Sequence, residues 1–211
     1  TLAALGSLGT AWRRRWGGRL VAVLGSVGKT TTRSMIQSLA EARWPGAIHA
    51  TRANLNNQIG VPLTLLALEP WHRVAVVELG TNRPGEIAAL TRVAEPNCAV
   101  LTSIAIEHTE ALEDLDGVER EEAAGIDNLG LSAVAIGHID DDRVRRVLAR
   151  RLLGRVIAYG NSSSADYRLI ERREVDLGSS ELTVARGKAV GGGELRFEVP
   201  LLGAPGALAA L

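Results

Sequence analysis

The chain has 211 residues, enough to bury one sizeable core, and its 24 Lys plus Arg balance its 24 Asp plus Glu. No global field therefore draws it to nucleic acid or to an anionic membrane surface, and any anion it binds must be gripped locally. A single cysteine, Cys98, excludes an internal disulfide framework and a multi-thiolate metal site.

In a reducing compartment Cys98 reads as a small core residue. No apolar run reaches the roughly 18 residues that span a bilayer, and no charged, apolar and cleavable leader opens the sequence, so the expectation is a cytoplasmic protein.

Residues 1–18 open inside a helical pattern, Leu2-Ala3-Ala4-Leu5, and read as a lead-in from a preceding domain. Their basic run Arg13-Arg14-Arg15 is expected to be a solvated helix face. From residue 19 onward, short apolar runs at 20–24, 74–79, 99–103 and 132–136 alternate with helical patterns at 30–43, 60–68, 84–93, 115–129 and 143–153. Strands buried on both faces and separated by helices predict an α/β domain, a mostly parallel sheet flanked by helices.

The texture changes after Tyr159. Segments 167–174, 180–186 and 194–200 alternate polar and apolar residues, with Gly178-Ser179 and Gly191-Gly192-Gly193 between them, and predict a small antiparallel sheet appended near the C-terminus. The sequence stops in a helical pattern, Ala207-Leu208-Ala209-Ala210-Leu211, so residues 19–211 are expected to be one domain truncated at its C-terminal end.

The most informative stretch is Val21-Ala22-Val23-Leu24-Gly25-Ser26-Val27-Gly28-Lys29-Thr30-Thr31-Thr32. A strand, a glycine turn and a helix start in that order form a phosphate loop, in the short G-x-x-G-K-T form because Val23 stands where the longer pattern has glycine. Glycines 25 and 28 let backbone N–H groups, those of Ser26, Val27 and Thr31 included, face phosphate oxygens beside the positive end of a helix. Lys29 would neutralise β- and γ-phosphates, and Thr30 would offer its hydroxyl to Mg²⁺. A P-loop alone specifies a nucleotide and leaves the reaction open.

Two further segments narrow it: Asn54-Leu55-Asn56-Asn57-Gln58-Ile59-Gly60-Val61-Pro62 and Glu78-Leu79-Gly80-Thr81-Asn82. With G-S-V-G-K-T-T-T they closely resemble the central ATP-binding domain of the Mur ligases, and within that family the branch that adds D-alanyl-D-alanine to a UDP-MurNAc-peptide in peptidoglycan synthesis. The resemblance runs from about residue 19 to the end. It implies an ATP- and Mg²⁺-dependent ligase in which a substrate carboxylate becomes an acyl phosphate that an amine then attacks. It also implies a monomer whose flanking domains bring the nucleotide-sugar peptide and the amino-acid or dipeptide amine, so that the isolated domain is inactive.

Carried residue by residue, the resemblance makes Glu78 a ligand of the Mg²⁺ shared with Thr30, His108 a ligand of a second metal ion, and Asn56 and Asn57 a polar loop near the substrate carboxylate. Most Mur ligases then have a lysine whose carbamate supports the second metal, and that position is Glu122 here. A glutamate already carries a carboxylate; Glu121 is the alternative, about 100° away on a helix, and a merely charged helix face is the other reading. His138 and Asp140 stand where the family contacts base or ribose, although an acidic loop capping the next helix accounts for them equally. The family's G-x-H-N-x-x-N appears as Gly203-Ala204-Pro205-Gly206-Ala207-Leu208-Ala209, without its His and Asn. That loss favours a second reading, a non-catalytic nucleotide- or partner-binding module; a third, a ligase for a different amino-acid substrate, follows from the related amide ligases that the resemblance brings in.

Overall fold

The structure is a computed structural model and describes residues 1–106, 114–152, 154–176 and 178–200. Helices α1 (Leu2–Trp16), α2 (Lys29–Arg43), α3 (Gly60–Leu66), α4 (Glu86–Ala94), α5 (Leu115–Asp127) and α6 (Asp142–Ala149) alternate with strands β1 (Arg19–Leu24), β2 (Ile48–Ala50), β3 (Val74–Glu78), β4 (Cys98–Leu101), β5 (Val134–His138) and β6 (Arg155–Gly160). Strands β7 (Tyr167–Glu174), β8 (Ser180–Arg186) and β9 (Glu194–Val199) follow. All nine join one sheet in the order β2-β3-β1-β4-β5-β6-β7-β8-β9.

The first seven strands pair in parallel and the last two antiparallel. The three C-terminal strands are antiparallel as their alternation predicts, but they continue the main sheet: Tyr159 and Gly160 of β6 pair with Tyr167 and Arg168 of β7. Strands β2 and β6 are additions to the sequence reading.

The strand periodicity sorts the core onto two faces. Leu20, Ala22 and Leu24 of β1, with Ala75 and Val77 of β3, pack in a cluster with residues of α3, α4 and α5. The intervening Val21, Val23, Val74 and Val76 pack with Ile36 and Trp44 from the region of α2. Strand β3 is buried at every position, which is why its first four residues read as an unbroken apolar run before Glu78. Burial also pushes the Cys98 thiol up to about 11, in keeping with an inert core-side residue.

Helix α1 forms a further layer over α3 and α4. Gly6, Gly9 and Arg13 make its buried face, and a Cβ at Gly9 would lie 3.1 Å from Pro62 Cα, so the two helices meet backbone to backbone. The indole N–H groups of Trp12 and Trp16 donate to Leu68 O and His72 O at 2.9 and 3.0 Å. The expected solvated basic face needs correction at Arg13. It is 6% exposed and donates to the carbonyls of Ala94 and Glu95 and to Asn97 Oδ1, which satisfies a guanidinium that would otherwise stay in water. Arg14 conforms, lying exposed and paired with Glu95.

Candidate active site

Strand β1 sits between β3 and β4, and the connection from β1 leads to β2 on one side of the sheet while that from its neighbour β4 leads to β5 on the other. In open α/β sheets the crevice beyond such a switch point receives the ligand. Here the chain leaves β1, turns through residues 25–28 and enters α2 at Lys29. Gly25 has φ 115°, and a Cβ on it would lie 2.4 Å from Thr102 Oγ1 and 2.8 Å from Ser103 O, so conformation and space both require glycine. At Gly28 the requirement is φ 91° alone.

Among the described residues no side chain caps the start of α2. Its first-turn N–H groups, with the positive end of the helix dipole, make a cradle for an anion. The residues before Gly28 are used differently. Gly25 N–H donates to Glu122 Oε2 at 2.8 Å, Ser26 N–H to Ser103 O at 2.8 Å, and Val27 N–H to Ser103 Oγ at 3.0 Å. Ser26 Oγ in turn accepts from Ala105 N–H at 2.9 Å. The sequence assigns residues 25–31 to phosphate binding alike, whereas the fold ties the N–H groups of 25–27 to the exit of β4 and to α5. Lys29 Nζ lies along the loop and donates to Gly25 O and Ser26 O.

Glu78 ends β3 beside this cradle and is 4% exposed. Its Oε2 accepts from Thr30 Oγ1 at 3.0 Å and its Oε1 from Asn56 Nδ2 at 3.0 Å, while Thr51 Oγ1 accepts from its N–H. Arg33, one turn along α2 from Lys29, places Nε 3.5 Å from Glu78 Oε2 and donates Nη1 to Thr51 O. A side chain at Gly80 would strike the Asn56 amide at 2.7 Å, so the glycine of the E-L-G segment makes room for that contact.

Among the described residues no three His, Cys, Asp or Glu side chains converge on a ready metal cage. Mg²⁺ does not need one, since it commonly takes one or two protein oxygens and completes its shell with phosphate and water. The adjacent hydroxyl and carboxylate of Thr30 and Glu78 are hard oxygen donors of the right kind. His108, the expected ligand of a second metal, lies outside the described residues, as does segment 203–209.

The polar loop before α3 divides its work. Asn56 reaches Glu78, whereas Asn57 Oδ1 accepts from the N–H groups of Ile59 and Gly60 and forms the turn that opens α3. Arg33, Thr51 and Ser103 escaped the sequence reading. Arg33 alone had a local signal, its place three residues after Thr30 on the same helix.

Helix α5 carries three buried carboxylates with separate duties. Glu119 accepts from Arg143, Arg146 and Arg150; burial alone would raise its pKa, but the guanidinium groups of Arg146 and Arg143 hold it below the ordinary range. Glu121 accepts from Gly85 N–H at 2.6 Å, Ile87 N–H at 2.7 Å and Thr81 Oγ1 at 3.3 Å, and so caps α4, whose own N-cap residue offers no side chain. Glu122, next in sequence, faces the P-loop instead.

At the end of β5 the polar residues serve the fold. Asp140 Oδ2 accepts from the backbone and side-chain amides of Asn161, and Oδ1 from Ser162 N–H. Burial acts to raise the Asp140 pKa, but these donors outweigh it and hold the carboxyl below its ordinary value. His138 lies 3.3 Å from Asp140 and stacks on Tyr159. Asp141 caps α6 through Arg143 N–H and Val144 N–H.

An uncapped helix start at the switch point of a mostly parallel sheet, led by G-x-x-G-K-T, defines a P-loop α/β domain. The chain belongs to the Mur ligase family: the Mur ligase middle domain matches residues 23–209. It is 34% identical over 203 residues to the UDP-N-acetylmuramoyl-tripeptide–D-alanyl-D-alanine ligase of Bacillus subtilis, covering 96% of this chain and 42% of that protein. The enzyme of the same description from Haemophilus influenzae is 34% identical over 205 residues, 96% of this chain and 43% of its own. Among solved structures, MurF from Acinetobacter baumannii superposes with a TM-score of 0.88 at 29% identity, covering 100% of this chain and 45% of its own. The Thermotoga maritima MurF ligase in complex with ADP gives 0.85 at 23% identity over 99% of this chain and 47% of its own, a likeness of fold. The chain thus spans less than half the length of these relatives. Among the described residues no helix is long and apolar enough to cross a membrane.

Proposed function

We propose that this chain is the central ATP-binding domain of a MurF-type ligase, which joins D-alanyl-D-alanine to a UDP-MurNAc-peptide through an acyl phosphate. The observation that carries the reading is the Thr30–Glu78 pair, 3.0 Å apart at the mouth of the phosphate cradle, in a chain similar along its length to ligases of that description. The first-turn N–H groups of α2 and Lys29 hold the phosphates, and Thr30 and Glu78 hold Mg²⁺. The bound ion supplies charge neutralisation at the transferring phosphoryl group. Asn56 keeps Glu78 turned toward Thr30, and Arg33 offsets the buried carboxylate's charge.

The remaining parts belong to the rest of the protein. Flanking domains would bring the nucleotide-sugar peptide and the dipeptide amine, and this domain alone would bind nucleotide with little ligation. The whole protein would act as a cytoplasmic monomer. His108 would serve a second metal ion, and His138 with Asp140 would lie toward the base end of the nucleotide.

Phosphate release from ATP by the full-length protein tests the proposal. The expected result is release that requires both UDP-MurNAc-tripeptide and D-alanyl-D-alanine. Release indifferent to both would point to a nucleotide-binding module, and release driven by a different amino acid would change the substrate.

A further inference from the structure

We infer that Glu122 is a positioning residue that holds the P-loop open in its phosphate-ready shape, through Gly25, and does not act as a metal ligand. The inference rests on the nucleotide reading above and deepens it. The two residues are 97 positions apart, yet Glu122 Oε2 accepts from Gly25 N–H at 2.8 Å in a buried contact, and Glu122 is 2% exposed. Lys29 Nζ donates to the carbonyl of the same residue, so Gly25 is held through both its N–H and its C=O.

Gly25 is the pivot of the loop. Its φ of 115° turns the chain out of β1, and the close approach of Thr102 and Ser103 prevents any side chain from stabilising that conformation by packing. A glycine there has the largest conformational freedom of any residue, which a strong directional contact must oppose. A carboxylate accepting a backbone N–H is such a contact, because the charge strengthens the hydrogen bond. Ser103 then continues the same restraint onto Ser26 and Val27. With the N–H groups of 25–27 fixed to protein, the donors from Gly28 onward are presented to the ligand already in place, and binding need not order them.

The neighbouring carboxylates sharpen the assignment. Glu121 is spent on α4 and Glu119 on three arginines, so Glu122 is the member of α5's buried trio that touches the loop. The metal corner, in contrast, is built from β3 and α2 through Glu78 and Thr30.

The test measures ADP affinity across a Mg²⁺ titration in the full-length protein, together with hydrogen exchange of the peptide covering residues 21–27, for wild type, Glu122→Ala and Glu122→Gln. Alanine removes the acceptor and should weaken ADP about tenfold and speed exchange in that peptide, while strands β3 and β4 keep their protection. Glutamine keeps an oxygen acceptor without the charge and should fall between the two in both readouts. In every variant the Mg²⁺ concentration at half-effect should match that of wild type. The inference is overturned if alanine leaves exchange at 21–27 unchanged, or if either variant moves the Mg²⁺ midpoint away from that of wild type, which marks a metal ligand. Failure of the wild type to bind ADP would sink the nucleotide reading instead, and the exchange comparison would then decide the brace alone.

Discussion

The ends of β1, β3 and β4 and the ends of β5 and β6 are both rich in polar side chains, but they spend them differently. At the first, Gly25–Glu122, Thr30–Glu78 and Asn56–Glu78 join elements 97, 48 and 22 residues apart, and the helix start they surround has no cap of its own. At the second, Asp140 and Asp141 fill their acceptors with backbone N–H groups of Asn161, Ser162, Arg143 and Val144. The first region is arranged around something still to be bound, whereas the second fills its carboxylate acceptors with backbone donors, the N–H of Ile104 after β4 included.

That contrast can be broken in four places, in falling order of expected effect. Replacing Lys29 with alanine removes a charged donor from the cradle and should weaken nucleotide binding about a hundredfold with little change in thermal stability, as calorimetric titration would show. The reverse pattern is expected for Glu121→Ala. It strands the buried Ile87 N–H and returns the more exposed Gly85 N–H to water, and should cost about 2 kcal/mol in denaturant unfolding, on the scale of one unsatisfied group.

Asp141→Ala removes the α6 cap and a contact to Ile104 N–H, and should cost about 1 kcal/mol while leaving ADP affinity within twofold. An affinity loss there larger than the stability loss would join the two regions into one site. The smallest effect concerns acid. Asp140 has a folded pKa below its ordinary value, so its contribution to stability is present above the unfolded pKa and fades as pH falls through the folded one. Stability measured down from neutral pH should decline along a shallower acid limb in Asp140→Asn than in wild type.

The same division explains what could be read from the sequence. Strands β1, β3, β4 and β5 announce themselves because burial on both faces leaves apolar runs, and the G-x-x-G-K-T spacing is local, so the cradle was visible before any fold. Strand β2 is three residues long with His49 in its middle, and in β6 Val156, Ile157 and Ala158 are only partly buried, so neither is a run buried on both faces. Arg13 looked solvated because charge predicts exposure; only the approach of Ala94, Glu95 and Asn97 from α4 and its exit makes burial tolerable. The choice between Glu121 and Glu122 likewise could not be made from spacing. It depends on which side of α5 meets α4 and which meets the loop, and that is a property of packing.

The most direct test of the nucleotide corner is ADP affinity with and without Mg²⁺ in full-length wild type and Glu78→Gln, each checked for equal thermal stability. Mg²⁺ should tighten binding to the wild type, and most of that gain should vanish in the variant, because Thr30 would be left without its carboxylate partner. Equal tightening in both proteins would contradict the assignment of Glu78 and Thr30 to the metal.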